Sequence, residues 1–103
     1  MADGVSVLDN PERSRFEITA DGAPAGFAEY RLHGEVADFV HTEVDDRFEG
    51  QGLGSRLIRA ALDETRAHGR QVMPYCPFVK AFIGKHPEYA DLVPAEARSR
   101  FGL

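Results

Sequence analysis

Cys76 is the only cysteine of this 103-residue sequence, and its thiol is the strongest candidate nucleophile. Pro77 follows it, and proline favours the first position of a helix, so we predict that a helix starts at Pro77 with Cys76 as its N-cap. The N-terminal end of a helix favours a thiolate, which could accept an acyl group or, as a thiol, give a proton to a leaving thiolate. A free cysteine is equally at home as a small buried apolar residue, and that interpretation stays open.

His41 is the second candidate, because histidine titrates near neutral pH and can accept a proton as a general base. In the predicted strand "ADFVHTEV", alternation would put His41 on one face with Phe39 and Glu43. A structural, hydrogen-bonded histidine is the alternative. The four histidines lack the spacing of metal ligands, and one cysteine excludes a zinc site of several thiolates, so we expect no metal.

A glycine-rich segment, "EGQGLGSRL", separates a predicted strand from a predicted helix. Backbone N–H groups and the positive end of a helix can hold a phosphate at such a junction. The spacing is not the G-x-G-x-x-G of dinucleotide loops, and Gly54 is followed by Ser55 without the lysine of a P-loop. These departures disfavour NAD and ATP, and a plain flexible turn remains the alternative.

The elements that must position these groups follow from hydrophobic periodicity. Period-2 alternation predicts strands over residues 15–20, "GFAEYRLH", with Ala28, Tyr30 and Leu32 on one face, and "EVADFVHTEV", with a shorter strand over 5–8. Apolar residues at helical spacing predict a helix in "GLGSRLIRAALDETRAHG", after which "RQVMPY" returns to the sheet in parallel. We therefore predict an α+β fold: an antiparallel strand meander, a helix, a parallel-type strand and a second helix, around one mixed sheet.

Length and charge limit the classes of function. A chain of 103 residues fits one domain, residues 1–103. A formal net charge of -5 argues against nucleic-acid and anionic-membrane partners. No apolar run approaches the ~20 residues of a membrane span, and the start has no secretory signal, so we expect a cytoplasmic protein. We expect a monomer, with a dimer left open.

The segment "VHTEVDDRFEGQGLGSRLIRAAL" resembles the coenzyme A motif of the GCN5-related N-acetyltransferase superfamily, Gln/Arg-x-x-Gly-x-Gly/Ala between a strand and a helix. The segment "YCPFVKAFIGKHPEY" resembles a small single-domain family of that superfamily, which carries Cys-Pro and Lys-His-Pro-Glu-Tyr. One departure is Glu49, where the motif has Gln or Arg. A carboxylate there would repel a pyrophosphate unless it points away or Arg47, Arg56 and Lys80 offset its charge.

The resemblance implies an acetyl-CoA-dependent N-acetyltransferase that acts on a small-molecule or peptide amine. Cys76 and His41 are the catalytic residues that we expect in it. It implies that the loop amides hold the pyrophosphate of coenzyme A. The residues expected in that role on this basis are Gln51, Gly52, Leu53, Gly54 and Ser55. We also expect Val44, Gly50 and Lys80 to bind the cofactor. The alternatives are a non-catalytic module that binds coenzyme A or acetyl-CoA, and a protein-interaction domain in which the glycine segment is only a turn.

Overall fold

The sheet of the computed structural model, which describes residues 4–103, has five strands in the order β1-β2-β3-β4-β5. Strands β1 to β4 are antiparallel neighbours, and β5 pairs in parallel with β4, so the predicted meander and mixed sheet are confirmed. The strands are β1 Val5–Asn10, β2 Arg15–Ala20, β3 Ala23–His33, β4 Val36–Val44 and β5 Gln71–Pro74.

The helices follow the meander, and the first of them is the crossover that a parallel β4–β5 pair requires. They are α1 Leu53–Ala67, α2 Pro77–Lys85 and the single turn α3 Ala95–Arg98, with 3-10 turns at Pro11–Arg13, Asp46–Phe48, Pro87–Leu92 and Ser99–Phe101. Within residues 4–103, no helix is long and apolar enough to cross a membrane.

The core lies between the sheet and α1. The apolar residues of α1 recur at helical spacing and are buried, as their periodicity predicts: Leu53, Leu57, Ile58, Ala61 and Leu62. The rings of Phe16, Tyr30 and Phe39 pack together on the strand side. Each large side chain buried in this way contributes about 1.5–3 kcal/mol.

Leu32 lies on the face of Tyr30, as the alternation predicts, but it does not share the burial of Ala28 and Tyr30. Its side chain is 45% exposed. Leu32 lies near the end of β3, beside Thr65 and His68 at the C-terminal end of α1, where the cover of the helix ends. Alternation continues to the end of the strand there, but the core does not.

A β-bulge at Val40 changes which side chains of β4 face the helices. On β3, Glu29 pairs with His41 and Tyr30 pairs with Phe39, so Val40 is left without a partner in that ladder. One extra residue in a strand reverses the faces of the residues beyond it. Phe39 therefore lies in the core, whereas His41 points away from it, and the prediction that the two share a face is wrong for this reason.

Candidate active site

Strands β4 and β5 diverge after four paired residues each. The ladder ends where Phe39 faces Pro74, although β4 continues to Val44. The N–H of Cys76 donates to the carbonyl of Phe39 at 2.8 Å and is the last backbone link between the two segments. Beyond that link, the remaining edge of β4 faces a gap rather than β5, and such an edge presents N–H and C=O groups to an extended ligand.

Cys76 lies at the start of this gap. It is the N-cap of α2, whose first residue is Pro77, as the sequence predicts. The side chain is 4% exposed, and its Sγ donates a hydrogen bond to Oγ1 of Thr42 at 3.3 Å. The thiol makes no cap bond to the helix. It is thus oriented towards β4 rather than towards the amides of α2.

Thr42 is a site residue that the sequence analysis missed. It pairs with the buried Ala28 and reaches the helix-covered face of the sheet because of the bulge at Val40. Strict alternation assigns that face to His41 instead. No residue type in "ADFVHTEV" marks the bulge, so the sequence held no signal that could have identified Thr42.

An open cleft of about 640 Å³ begins beside Thr42. Its carboxylates give it acidic walls, and Asp45 is bonded to the guanidinium of Arg47, which lowers the pKa of that carboxyl below its usual value. Phe27 provides an aromatic surface. The lining residues are Ala25, Gly26, Phe27, Thr42, Glu43, Val44, Asp45 and Asp46.

His41 lies on the sheet face opposite Thr42, and its side chain is 53% exposed. Its Nε2 is 3.5 Å from Oε1 of Glu43, and its ring packs on Phe27 with the ring centroids 5.9 Å apart. Both of these neighbours line the cleft. The structure thus brings His41 to the border of the cleft but not to the face that holds Cys76, and its role as a base stays a prediction.

The glycine segment forms an open loop that leads into α1. Gly50 and Gly52 have φ values of 82° and 72°, a conformation that favours glycine, and Gly52 is the N-cap of α1. No atom lies within 4 Å of where a Cβ on either residue would stand. The amides of the first helical turn have no partner inside a helix, so they face an open space that could take an anion.

The other predicted cofactor residues differ in how much of them a ligand could reach. Gln51, Ser55 and Lys80 are exposed, whereas the side chain of Leu53 is buried, so only its backbone is available. Val44 is partly buried and lines the cleft.

Gly54 has a packing role within the same loop. A Cβ on Gly54 would lie 2.7 Å from Cζ of Phe78, the second residue of α2. The absence of a side chain therefore lets the Phe78 ring approach the first turn of α1. This contact places the N-terminal ends of α1 and α2 side by side.

Glu49, the departure from the coenzyme motif, is exposed at the end of the Asp46–Phe48 turn. Of the cations considered as its compensation, Arg47 is committed to Asp45 through its backbone N–H at 2.9 Å and two guanidinium bonds at 3.1 Å. Lys80 lies one turn after Cys76 on α2, and its side chain is exposed.

The segment "KHPEY" ties the end of α2 to α1. The hydroxyl of Tyr89 donates to Oδ1 of Asp63 at 2.7 Å and accepts from Arg59 at 3.3 Å. Burial, and then the bond to Asp63, raises the pKa of Tyr89. The ring of His86 packs on Phe82 with the centroids 4.3 Å apart. These contacts fix α2, and with it the position of Cys76.

The part of the chain that the structure describes holds no group of three or more His, Cys, Asp or Glu residues that could bind a metal ion. The site thus consists of a strand gap with a thiol and a hydroxyl, an acidic cleft and an open glycine loop.

Comparison with known proteins shows the family of this chain. The family described as GCN5-related N-acetyl-transferase matches residues 15–92. Protein NATD1 of cattle is 31% identical over 52 residues, which are 50% of this chain and 46% of that protein. Protein NATD1 of mouse is 25% identical over 85 residues, which are 81% of this chain and 77% of that protein. The chain thus spans about half of the cattle relative that it matches.

Two solved structures have the same fold. A GCN5-like protein from Staphylococcus aureus superposes with a TM-score of 0.68 at 22% identity, over 90% of this chain and 91% of its own. The ribosomal-protein-S18-alanine N-acetyltransferase from Escherichia coli gives 0.54 at 23% identity, over 70% of this chain and 42% of its own. Because the family match covers well over half of the sequence, the chain belongs to the GCN5-related N-acetyltransferase family.

Proposed function

We propose that the protein is an acetyl-CoA-dependent N-acetyltransferase that acetylates an amine at the gap between β4 and β5. The observation that carries the proposal is the divergence of the two strands after Phe39 and Pro74, with the Cys76 thiol turned towards β4 at that point. An enzyme that transfers an acetyl group needs donors for a carbonyl oxygen and a proton for the leaving sulfur. The gap offers backbone donors and a thiol together.

The residues present fit acetyl-CoA in two places. The open glycine loop, residues 50–55, and the first amides of α1 suit a pyrophosphate, since nothing occupies the space above Gly50 and Gly52. The free edge of β4 from Val40 to Val44 suits the amides of the pantetheine arm. When bound there, acetyl-CoA supplies an acetyl group activated as a thioester.

The chain's own groups would then act as follows. Backbone N–H groups of the β4 edge donate to the acetyl oxygen as negative charge develops on it, which is usually the largest contribution to catalysis of this kind. The Cys76 thiol gives its proton to the departing sulfur. His41, at the border of the cleft, is the candidate acceptor of the amine proton.

The acidic cleft supports a cationic amine as acceptor. Glu43 and Asp46 place carboxylates along its wall, and Phe27 adds an aromatic surface on which an ammonium group can lie. One protein of the same fold acts, by its name, on an alanine of ribosomal protein S18. Peptide N-termini therefore join small polyamines in the first set of acceptors to screen.

Calorimetric titration with acetyl-CoA tests the coenzyme site, and Ser55→Glu is its sharpest variant. Ser55 is an exposed residue of the first turn of α1, which has no acidic residue, so a glutamate there stabilises the helix while it repels a phosphate. We expect affinity to fall at least about tenfold without loss of thermal stability. Ser55→Gln, which is similar in size but uncharged, should bind within about threefold of the wild type.

Two results would contradict this proposal. Equal binding by Ser55→Glu would mean that the loop does not hold phosphate groups. No binding by the wild type at millimolar acetyl-CoA would remove the coenzyme site altogether.

The burial of Cys76 favours a second candidate, a module that binds coenzyme A without turnover. A thiol that is 4% exposed is poorly placed to meet a substrate unless the gap opens. Saturable binding together with no acetylation of any amine in the screen would support this candidate over the enzyme.

A further inference from the structure

Thr42 joins two parts of the site that are otherwise separate. It lines the 640 Å³ cleft, and its Oγ1 accepts the hydrogen bond from the Cys76 thiol at 3.3 Å. Cys76 itself does not line the cleft. The hydroxyl of Thr42 is thus the polar group that lies between the buried thiol and the open space.

The bulge at Val40 brings Thr42 to the face on which it contacts Cys76. In a regular strand, His41 would take the face that Phe39 and Cys76 share, and Thr42 would point away. The extra residue turns Thr42 inward beyond the last link between Cys76 and Phe39, at the beginning of the gap. Bulges commonly re-aim a side chain next to an active site.

We propose that Thr42 is a positioning residue of this site, which holds the Cys76 thiol towards the gap and stabilises the sulfur after the thiol has given up its proton. The proposal rests on the function proposed above. A threonine hydroxyl has one donor and two acceptor positions and rotates freely. It accepts from the thiol in the state observed and can rotate to donate to a thiolate.

The step balances without another reactant. His41 first takes one proton from the cationic amine, and the neutral nitrogen then forms a bond to the acetyl carbon. The carbon–sulfur bond breaks, and its electron pair stays on the leaving sulfur. That sulfur takes the proton from Cys76, and the Cys76 thiolate takes the proton that the acceptor nitrogen releases. Thr42 loses no proton in this sequence and changes only from acceptor to donor.

Alkylation of Cys76 by iodoacetamide tests the contact without any coenzyme, since the chain has one cysteine. Thr42→Val keeps the shape and removes the hydroxyl, whereas Thr42→Ser keeps the hydroxyl. We expect alkylation to slow about tenfold in Thr42→Val, the size of a lost hydrogen bond to a charged group, and to change less than about twofold in Thr42→Ser. Thr19→Val, on β2, controls for the loss of a hydroxyl from the sheet.

The alkylation result overturns the proposal if Thr42→Val reacts at the wild-type rate, or if Thr42→Ser slows as much as Thr42→Val at equal thermal stability.

A double-mutant cycle on acetyl transfer supplies the second arm. If Thr42 acts through Cys76, Thr42→Val lowers turnover about tenfold in the wild-type background and has no further effect in Cys76→Ala. An equal loss in both backgrounds would overturn the proposal, because Thr42 would then act independently of the thiol. If no variant and no wild-type protein turns over, the proposed function fails, while the alkylation rates still decide the role of Thr42.

Discussion

The Cys76 thiol combines burial with a polar partner, and these two features point to different uses. Burial among the core residues is typical of an inert cysteine. The hydrogen bond to Thr42 directs the sulfur to the one place where β4 lacks a strand neighbour on that side. A side chain needed only for packing requires no such bond, so the substitution of this residue is the informative experiment.

Cys76→Ala should lower the rate of acetyl transfer by about a hundredfold, because positioned proton donation typically contributes 10²- to 10⁴-fold. The affinity for acetyl-CoA should change little. Cys76→Ser, which is close in size, controls for the small cavity that alanine leaves. The measurement is the release of coenzyme A with a saturating amine acceptor, followed by chromatography.

The same pair of variants separates a covalent route from direct attack. Turnover retained by Cys76→Ala excludes an acetyl-cysteine and leaves protonation of the sulfur to water. An acetylated Cys76 detected by mass spectrometry in the wild type, with no turnover in either variant, would establish the covalent route.

The contact of Gly54 with Phe78 is one of those that join the helices of the site, α1 and α2. Phe78 is 44% exposed, so its ring can move away when a methyl group is added at Gly54. Alanine also favours the helix by about 0.5–1 kcal/mol relative to glycine. The two effects oppose each other at the same junction of α1 and α2.

We therefore expect Gly54→Ala to leave the free energy of unfolding within about 1 kcal/mol of the wild type, while it displaces the start of α2. The measurement is urea unfolding combined with the alkylation rate of Cys76, which should change because the thiol is the N-cap of α2. Gly84→Ala, in helix α2, is the control, because no atom lies within 4 Å of where its Cβ would stand. A large loss of stability in Gly54→Ala would show that the Phe78 ring cannot move.

The regular elements could be read from the sequence, since each depends on local pattern. Alternation predicted strand β2, the apolar stripe predicted helix α1, and Pro77 predicted the start of α2. The contact of Thr42 with Cys76 joins residues 34 positions apart and depends on a bulge that no residue type announces. The packing of Gly54 against Phe78 is tertiary in the same sense, so the sequence could suggest a phosphate role or a tightly packed turn for that glycine but not its partner Phe78.

At the scale of the whole molecule, two buried tyrosine hydroxyls make the stability of the fold depend on pH in the alkaline range. The hydroxyl of Tyr30, on β3, donates to Asp9 on β1 at 2.7 Å, and burial, followed by that bond, raises the pKa of Tyr30 well above its usual range. The pKa of Tyr89 is raised for the same reasons, by burial and by its bond to Asp63. A raised pKa means that the folded state holds the proton more tightly than the unfolded state.

The stabilisation that these two tyrosines provide should accordingly be complete below about pH 10. It should fall as the pH rises past the pKa of an unfolded tyrosine, because the unfolded chain then loses protons first. We expect Tyr30→Phe to be less stable than the wild type at pH 8 by about 1 kcal/mol, and to lose less stability between pH 9 and 11. Urea unfolding across that range measures both. An identical alkaline loss in Tyr30→Phe would exclude Tyr30 as its source, and Tyr75→Phe, at a ring that is half exposed, is the control.

The bulge at Val40 also affects how residue roles can be transferred from one relative of this protein to another. A single inserted residue decides whether position 41 or position 42 faces the helices. An alignment that matches the histidine of one chain to the histidine of another would assign them one role even where only one chain has the bulge. Roles at these two positions should therefore be transferred by superposition of strand β4, and a one-residue gap within that strand should be treated as a change in the composition of the site.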